Sequence, residues 1–165
     1  MYLFILWLYC VCCVLANDFL TLTSPAPNQS LAPGHVISFN YTMNAMTAES
    51  TLNNPNSLDI IFQWVSKNNM QHMIQLTAAR NIATDCNGIK NRDHIHSWKL
   101  PNCRFFKRYP PDQWTYSLIF QPNYLPASKM MVPMGPQHAS VTVPITIFMN
   151  TSSTITTKRH HSQEC

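Results

Sequence analysis

The sequence reads His35-Val36-Ile37-Ser38-Phe39-Asn40-Tyr41-Thr42-Met43 in the stretch that decides the fold. Its apolar side chains recur at every second position, at Ile37, Phe39, Tyr41 and Met43. A period of two places these side chains on one face of a β-strand and the intervening ones on the other. The stretch therefore predicts a strand with one face in a core, and it predicts that Asn40 points to solvent.

Similar patterns recur along the chain, whereas helix signals are almost absent and the 12 prolines interrupt any long helix. Trp64 lies on the apolar face of one such pattern and is predicted to anchor the core. Pro144 cannot donate a ladder hydrogen bond, which indicates that the last strand is an edge strand. The predicted strands cover residues 19–23, 35–43, 58–66, 70–78, 94–100, 114–121 and 141–149. About seven short strands predict an all-β fold, an immunoglobulin-like antiparallel β-sandwich.

Residues 1–16 are apolar almost throughout, carry no charged side chain and end in Cys13-Val14-Leu15-Ala16. This pattern predicts a signal peptide cleaved after Ala16, because the run is too short to cross a bilayer. Residues 17–149 are the predicted β-sandwich domain, and 150–165 a short polar tail without an anchor signal. We therefore expect a secreted, extracellular product with no membrane span after the signal is removed.

The cysteines that remain after the signal is removed are Cys86, Cys103 and Cys165. In an oxidising compartment Cys86 and Cys103 are the natural pair, and we predict a disulfide that closes the short loop between them. Cys165 is then left over, and it either pairs between molecules, stays free or belongs to an unusual terminus.

Asn28, Asn40 and Asn150 each begin an Asn-x-Ser/Thr sequon. In a chain that enters the secretory pathway they are candidate N-glycosylation sites.

Composition argues against several classes of function. Charged residues make up only 11% of the chain, which is too few for the clustered Lys and Arg of a nucleic-acid-binding protein. With 3 glycines the chain offers no nucleophile elbow, phosphate loop or dinucleotide fingerprint. The few carboxylates lie mostly in predicted loops and form no evident catalytic pair. We expect no enzyme activity and no cofactor.

His94 and His96 are spaced so that both imidazoles lie on one face of a strand. Such a pair holds Zn or Cu if a third ligand, His72 or His138, approaches. We favour the alternative, solvent-facing histidines without a metal.

A second candidate site interleaves cations and aromatics: Arg104, Phe105, Phe106, Lys107, Arg108 and Tyr109. Such a loop can bind a glycan by hydrogen bonds and by stacking on sugar faces. Alternatively, its aromatics tuck into the edge of the sandwich while the cations are solvated.

Two stretches near the start of the predicted domain carry a family resemblance. They are Leu22-Thr23-Ser24-Pro25-Ala26-Pro27-Asn28-Gln29-Ser30 and Ala32-Pro33-Gly34-His35-Val36-Ile37-Ser38-Phe39-Asn40-Tyr41-Thr42. Trp98-Lys99-Leu100-Pro101 and Tyr116-Ser117-Leu118 match later elements of the same pattern. The chain thereby resembles the fungal Ser/Thr-rich, GPI-anchored cell-surface proteins, whose immunoglobulin-like module is shared with the yeast cell-wall β-1,6-glucan assembly proteins.

The resemblance implies a secreted, non-catalytic module at the cell surface or in the cell wall, with a structural or binding role in wall organisation. Its expected partners are cell-wall polysaccharide or other surface proteins. The alternative is a secreted carbohydrate-binding or effector protein that uses residues 104–109 as its contact surface.

Overall fold

The computed structural model describes residues 15–16, 19–44, 55–84, 92–124 and 137–149. These residues form nine strands and one short helix. In chain order the elements are β1 (Leu15–Ala16), β2 (Leu20–Ser24), β3 (Gln29–Leu31), β4 (Val36–Met43), β5 (Ser57–Ser66), β6 (Met73–Ala83), β7 (Arg92–Lys99), α1 (Cys103–Arg108), β8 (Trp114–Asn123) and β9 (Val141–Ile147). Within the described part of the chain, no helix is long and apolar enough to cross a membrane.

The strands form two sheets that pack face to face. The four-stranded sheet has the order β1-β2-β4-β7, and the five-stranded sheet has the order β3-β9-β8-β5-β6. All neighbours are antiparallel except β3 and β9, which run parallel. The predicted all-β class is confirmed. The wholly antiparallel arrangement is wrong, because the parallel pair makes the five-stranded sheet mixed, and there are more strands than the seven expected.

The core lies between the sheets and is built from alternate residues of the long strands. In β4 the positions predicted to face inward are all buried, with Phe39 at 0% exposure. Trp64 is 5% exposed and anchors the core as predicted. Burial of such aromatic and aliphatic side chains is the main stabilising contribution in a sandwich of this kind. The largest fully buried side chains are Tyr41, Phe19, Phe39, Phe62, Phe106 and Phe120.

Strand β9 is not an edge strand, contrary to the interpretation of Pro144. The short β3 lies beside it, with Gln29 opposite Ile145. The carbonyl of Pro144 accepts a hydrogen bond from the N–H of Asn28 at 2.7 Å. The N–H and C=O of one strand residue point to the same side, and the carbonyl of Pro144 points toward β3. The N–H that proline lacks would therefore also point toward β3, so the pairing with β8 is not affected. Because β3 pairs with β9 only from Ile145 onward, Pro144 interrupts no ladder bond there.

Candidate functional site

The segment predicted as a basic-aromatic loop is the helix α1, so the loop prediction is wrong. Asn102 is its N-cap, and the side-chain oxygen accepts from the N–H groups of Arg104 at 3.1 Å and Phe105 at 3.4 Å. Lys107 and Arg108 lie in the last turn, where positive charge interacts favourably with the helix dipole. Six residues between a cap and two prolines therefore form a helix that holds its side chains in defined directions.

The aromatic side chains of this segment pack into the sandwich. Phe106 is 0% exposed, and Phe105 lies edge-on to Trp64 with ring centroids 4.9 Å apart. The ring of Tyr109 lies 5.3 Å from Trp64 and 5.2 Å from Trp114. Because these rings contact one another and the core, they offer no flat platform on which a sugar can stack. The alternative, in which the aromatics tuck into the sandwich edge, describes the structure.

A hydrogen bond ties the end of α1 to the next strand. The hydroxyl of Tyr116, in β8, donates to the main-chain carbonyl of Tyr109. Burial raises the pKa of Tyr116, and the nearby Asp112 raises it further. The Tyr116 hydroxyl therefore stays protonated and able to donate well above neutral pH, which fixes the direction in which α1 leaves the sandwich.

The cations of the segment face solvent. Arg104, Lys107 and Arg108 are exposed, and the guanidinium carbon of Arg108 lies 5.5 Å from the centre of the Tyr109 ring. This contact is a cation–π interaction that restricts the side chain without neutralising it. The helix thus presents positive charge from a fixed backbone.

Two lysines from neighbouring elements lie at the same end of the sandwich. Lys99 ends β7 opposite the first residue of β4, and Lys67 follows β5, whose last residue is opposite Trp114. The ammonium group of Lys67 donates to the carbonyl of Pro111 at 2.8 Å. We call this surface the basic end. It consists of the exposed side chains of Lys67, Lys99, Arg104, Lys107 and Arg108.

Few carboxylates balance this charge. Among the described residues the carboxylates belong to Asp59, Asp93 and Asp112, and of these Asp112 alone is at the basic end. Asp59 lies far along the sandwich and accepts from the N–H of Asn81 at 2.8 Å. Asp93 accepts from Thr42 at 2.6 Å near the start of β7. The described domain therefore has a polarised charge distribution, with an excess of positive charge at one end.

The histidines of β7 do not face solvent, so that prediction is wrong. His94 stacks on Tyr41 at 5.2 Å and His96 on Phe39 at 6.3 Å, both on the inner face of the sheet. Nε2 of His94 is buried and has no hydrogen-bond partner among the described residues. Among the described residues no group of three or more His, Cys, Asp or Glu side chains is arranged to hold a metal ion. Because side chains alternate along β7, His94, His96 and Trp98 share the inner, apolar face of the sheet. The sequence analysis had predicted that the two histidines lie on the outer face.

Cys103 is disulfide-bonded, at the first position of α1. Cys86 and Cys165 lie outside the described residues, so the Cys86–Cys103 pairing and the state of Cys165 stay predictions.

The sequons lie in different environments. Asn28 is exposed in a left-handed conformation with φ of 59°. Asn40 is on the outer face, as predicted, but it is half-buried and its side-chain oxygen accepts from Ser38 at 2.8 Å. On the neighbouring strand it lies opposite Ile95, which is 75% exposed. Asn150 lies outside the described residues.

Comparison with protein-family models finds no match, and none is found among curated protein sequences. Sequence reasoning missed Lys67, which lies far from α1 in the chain, and Lys99, which precedes α1 by four residues. The signal for α1 itself was present, since Pro101-Asn102 before the segment is a typical helix start with an N-cap.

Proposed function

We propose that this chain is an exported, non-catalytic immunoglobulin-like module that acts by binding or by structural presence at the cell surface or in the cell wall. The observation that carries the immunoglobulin-like part of the proposal is the hydrogen bond from the Tyr116 hydroxyl to the carbonyl of Tyr109, whereas export rests on the apolar residues 1–16. A tyrosine near the start of a strand, bonded back to the connection before it, is the tyrosine corner typical of immunoglobulin domains.

The strand arrangement supports the same fold. Strand β2 pairs with β4 in one sheet, and the next segment, β3, crosses to the other sheet and runs parallel to the last strand. Trp64 of β5 packs in the core. Immunoglobulin domains carry a buried tryptophan on strand C, to which β5 corresponds in this arrangement. The site residues above support binding better than catalysis, since the groups exposed at the basic end are five cations and, of the described carboxylates, Asp112 alone.

Expression with the native leader in a secreting eukaryotic host tests export. We expect mass spectrometry of the secreted chain to find Asn17 at its N-terminus and glycan mass at Asn28 or Asn40. Cleavage there removes the two residues of β1 and leaves the sheet order β2-β4-β7 in the mature chain. We further expect part of the product to fractionate with the cell wall. A chain that stays in the cytosol with residues 1–16 attached contradicts the proposal.

A second candidate, carbohydrate recognition through α1, is favoured by the exposure of its cations at the basic end. Since the aromatics of α1 are packed inside, we propose that an acidic glycan binds by ion pairs and hydrogen bonds, not by stacking on rings. Three exposed ion pairs of modest strength add up to about a tenfold gain in affinity.

Binding of acidic and neutral polysaccharides to the triple variant Arg104→Ala/Lys107→Ala/Arg108→Ala tests this candidate. We expect the wild type to retain acidic polysaccharide at low salt and to release it at high salt. The triple variant should lose about tenfold in affinity. The matched control is Arg80→Ala, which removes an exposed cation from β6. Equal binding of neutral polysaccharide by all variants, with no acidic preference, removes the candidate.

A further inference from the structure

Strand β6 is an outer strand of the five-stranded sheet. The order of the described strands ends at β6, which pairs with β5 on one side. A strand in this position directs the N–H and C=O groups of its other side away from the sheet. A shallow groove follows this edge and is lined by consecutive residues of β6, from Gln75 to Arg80.

The first half of this edge lacks the usual protection against strand pairing. Natural edge strands carry lysines, prolines or inward-pointing charges that discourage an incoming strand. From Met73 to Ala79 the strand has no charged residue and no proline. It also exposes apolar surface, since Met73 is 51% and Leu76 43% exposed.

The regular part of β6 is its first half. The register with β5 shifts between Leu58 and Ile60 and again between Ile60 and Ile61, opposite the second half of β6. Asn81 has a left-handed φ of 51°. Register shifts of this kind mark β-bulges or irregular pairing, which twist a strand and end its regular pairing. A partner strand can therefore pair regularly along residues 73–77.

We propose that two copies of this chain associate through β6, antiparallel, with a two-fold axis at Gln75. Gln75 then lies opposite the partner's Gln75, and Ile74 lies opposite the partner's Leu76. An association of this kind is closed and uses the same surface on both copies.

The register follows from which face each side chain occupies. Met73, Gln75 and Thr77 lie opposite Val65, Gln63 and Ile61 on the outer face of the sheet. Ile74 and Leu76 lie opposite Trp64 and Phe62 on the inner face. Directly opposed residues of antiparallel strands share a face. A two-fold axis at a residue keeps outer side chains opposite outer ones, whereas an axis between two residues opposes outer and inner side chains.

The chemistry of the edge favours a second copy over a charged peptide. Across the axis, the half-buried Ile74 of one copy meets the exposed Leu76 of the other copy. These two contacts cover apolar surface on both copies. No like charges are opposed, because Arg80 lies beyond the regular stretch. An acidic or basic peptide finds no counter-charge between Met73 and Ala79 and gains no ion pair there.

Sedimentation analysis over a concentration series tests the proposal, with Cys165→Ser in every sample to remove any disulfide between chains. We expect a reversible dimer. In Gln75→Lys two ammonium groups face each other at the axis, so association should weaken roughly tenfold. Gln75 is exposed, and the lysine ammonium keeps a donor for Gln63, to which the Gln75 side-chain nitrogen donates at 2.9 Å, so little stability is lost.

The matched control is Thr142→Lys, an exposed outer-face position of β9 opposite Ile119. We expect it to dimerise like the parent chain. Amide hydrogen exchange should slow along residues 73–77 as concentration rises. A parent chain that is monomeric at all concentrations overturns the proposal. A Gln75→Lys chain that dimerises like the control overturns it as well, since the contact then lies elsewhere. Neither result bears on the proposed export or glycan binding.

Discussion

The hydroxyl of Tyr116 donates to the main-chain carbonyl of Tyr109, seven residues earlier in the chain. Between these residues the chain leaves α1, passes two prolines and turns into β8. This one bond links the helix that carries the cations to a central strand of the five-stranded sheet, because β8 lies between β9 and β5. The geometry of the basic end thus depends on a buried phenol.

Replacement of Tyr116 by Phe should destabilise the domain. The ring and its packing remain, but the carbonyl of Tyr109 loses its partner in a partly buried place, which costs about 1 to 2 kcal/mol. The matched control is Tyr41→Phe. The Tyr41 hydroxyl is buried without a hydrogen-bond partner in the described part of the chain, so its removal should be neutral or stabilising. Urea unfolding measures both. Equal effects of the two substitutions would contradict the role given to the Tyr116 bond.

The domain should lose stability in alkaline solution. Burial raises the pKa of Tyr41 to about 12 from its ordinary value of 10.0, and that of Tyr116 is raised too. A tyrosine with a raised pKa binds its proton more tightly in the folded state. The folding stability linked to this proton is therefore fully present below pH 10 and is lost as pH rises toward 12.

The loss reaches at most about 1.4 kcal/mol per pH unit for each such group. Chemical denaturation between pH 8 and pH 12 checks it, because the free energy of unfolding should fall only above about pH 10. Tyr41→Phe removes one of the groups and should make the fall shallower. A pH dependence identical in Tyr41→Phe and the parent chain would show that Tyr41 does not take part.

Truncation of Phe106 should be severe, although the next residue in the sequence is the exposed Lys107. Its side chain is fully buried and contacts Tyr116 with ring centroids 5.4 Å apart. Phe106→Ala leaves a cavity that costs about 3 to 5 kcal/mol. Lys107→Ala, the next residue, should change stability by less than about 0.5 kcal/mol. Thermal unfolding of the two variants distinguishes them, and a mild effect of Phe106→Ala would place the ring outside the core.

The start of α1 should depend on Asn102. Its side-chain oxygen satisfies the N–H groups of Arg104 and Phe105, so Asn102→Ala costs about 1 kcal/mol. Asn102→Asp keeps the acceptor and adds negative charge at the helix start, so it should preserve or raise stability. Urea unfolding measures both variants. If Asp proves as harmful as Ala, the amide nitrogen and not the oxygen is the group that matters.

Much of the fold was predictable because each long strand has one buried face. In β4, β5, β8 and β9 the apolar residues recur with a period of two, and the structure buries those positions. The prediction failed where an element is short. Strand β3 has three residues and α1 has six, which is too few for a period to be visible. Strand β7 was predicted, but its histidines were predicted to face solvent because imidazole is polar. In the structure they stack on Tyr41 and Phe39 of the inner face.

The candidate site was predictable only in part. Arg104, Lys107 and Arg108 are visible as a cluster in the sequence, but the direction of the aromatics between them follows from the helical turn and from contacts with Trp64 and Tyr116. Lys99 precedes α1 by four residues in the chain, whereas Lys67 joins the same end only because β5 pairs with the distant β8.

By itself, the sequence determined that this chain is built from strands, which side of most strands is buried and which residues anchor the core. These properties follow from the local alternation of side chains, which acts within each strand. Tertiary structure alone decided that β3 runs parallel to β9, that β6 is left at an edge and that the cations gather at one end. Such properties depend on which strands become neighbours, and that choice is made by packing between segments far apart in the chain.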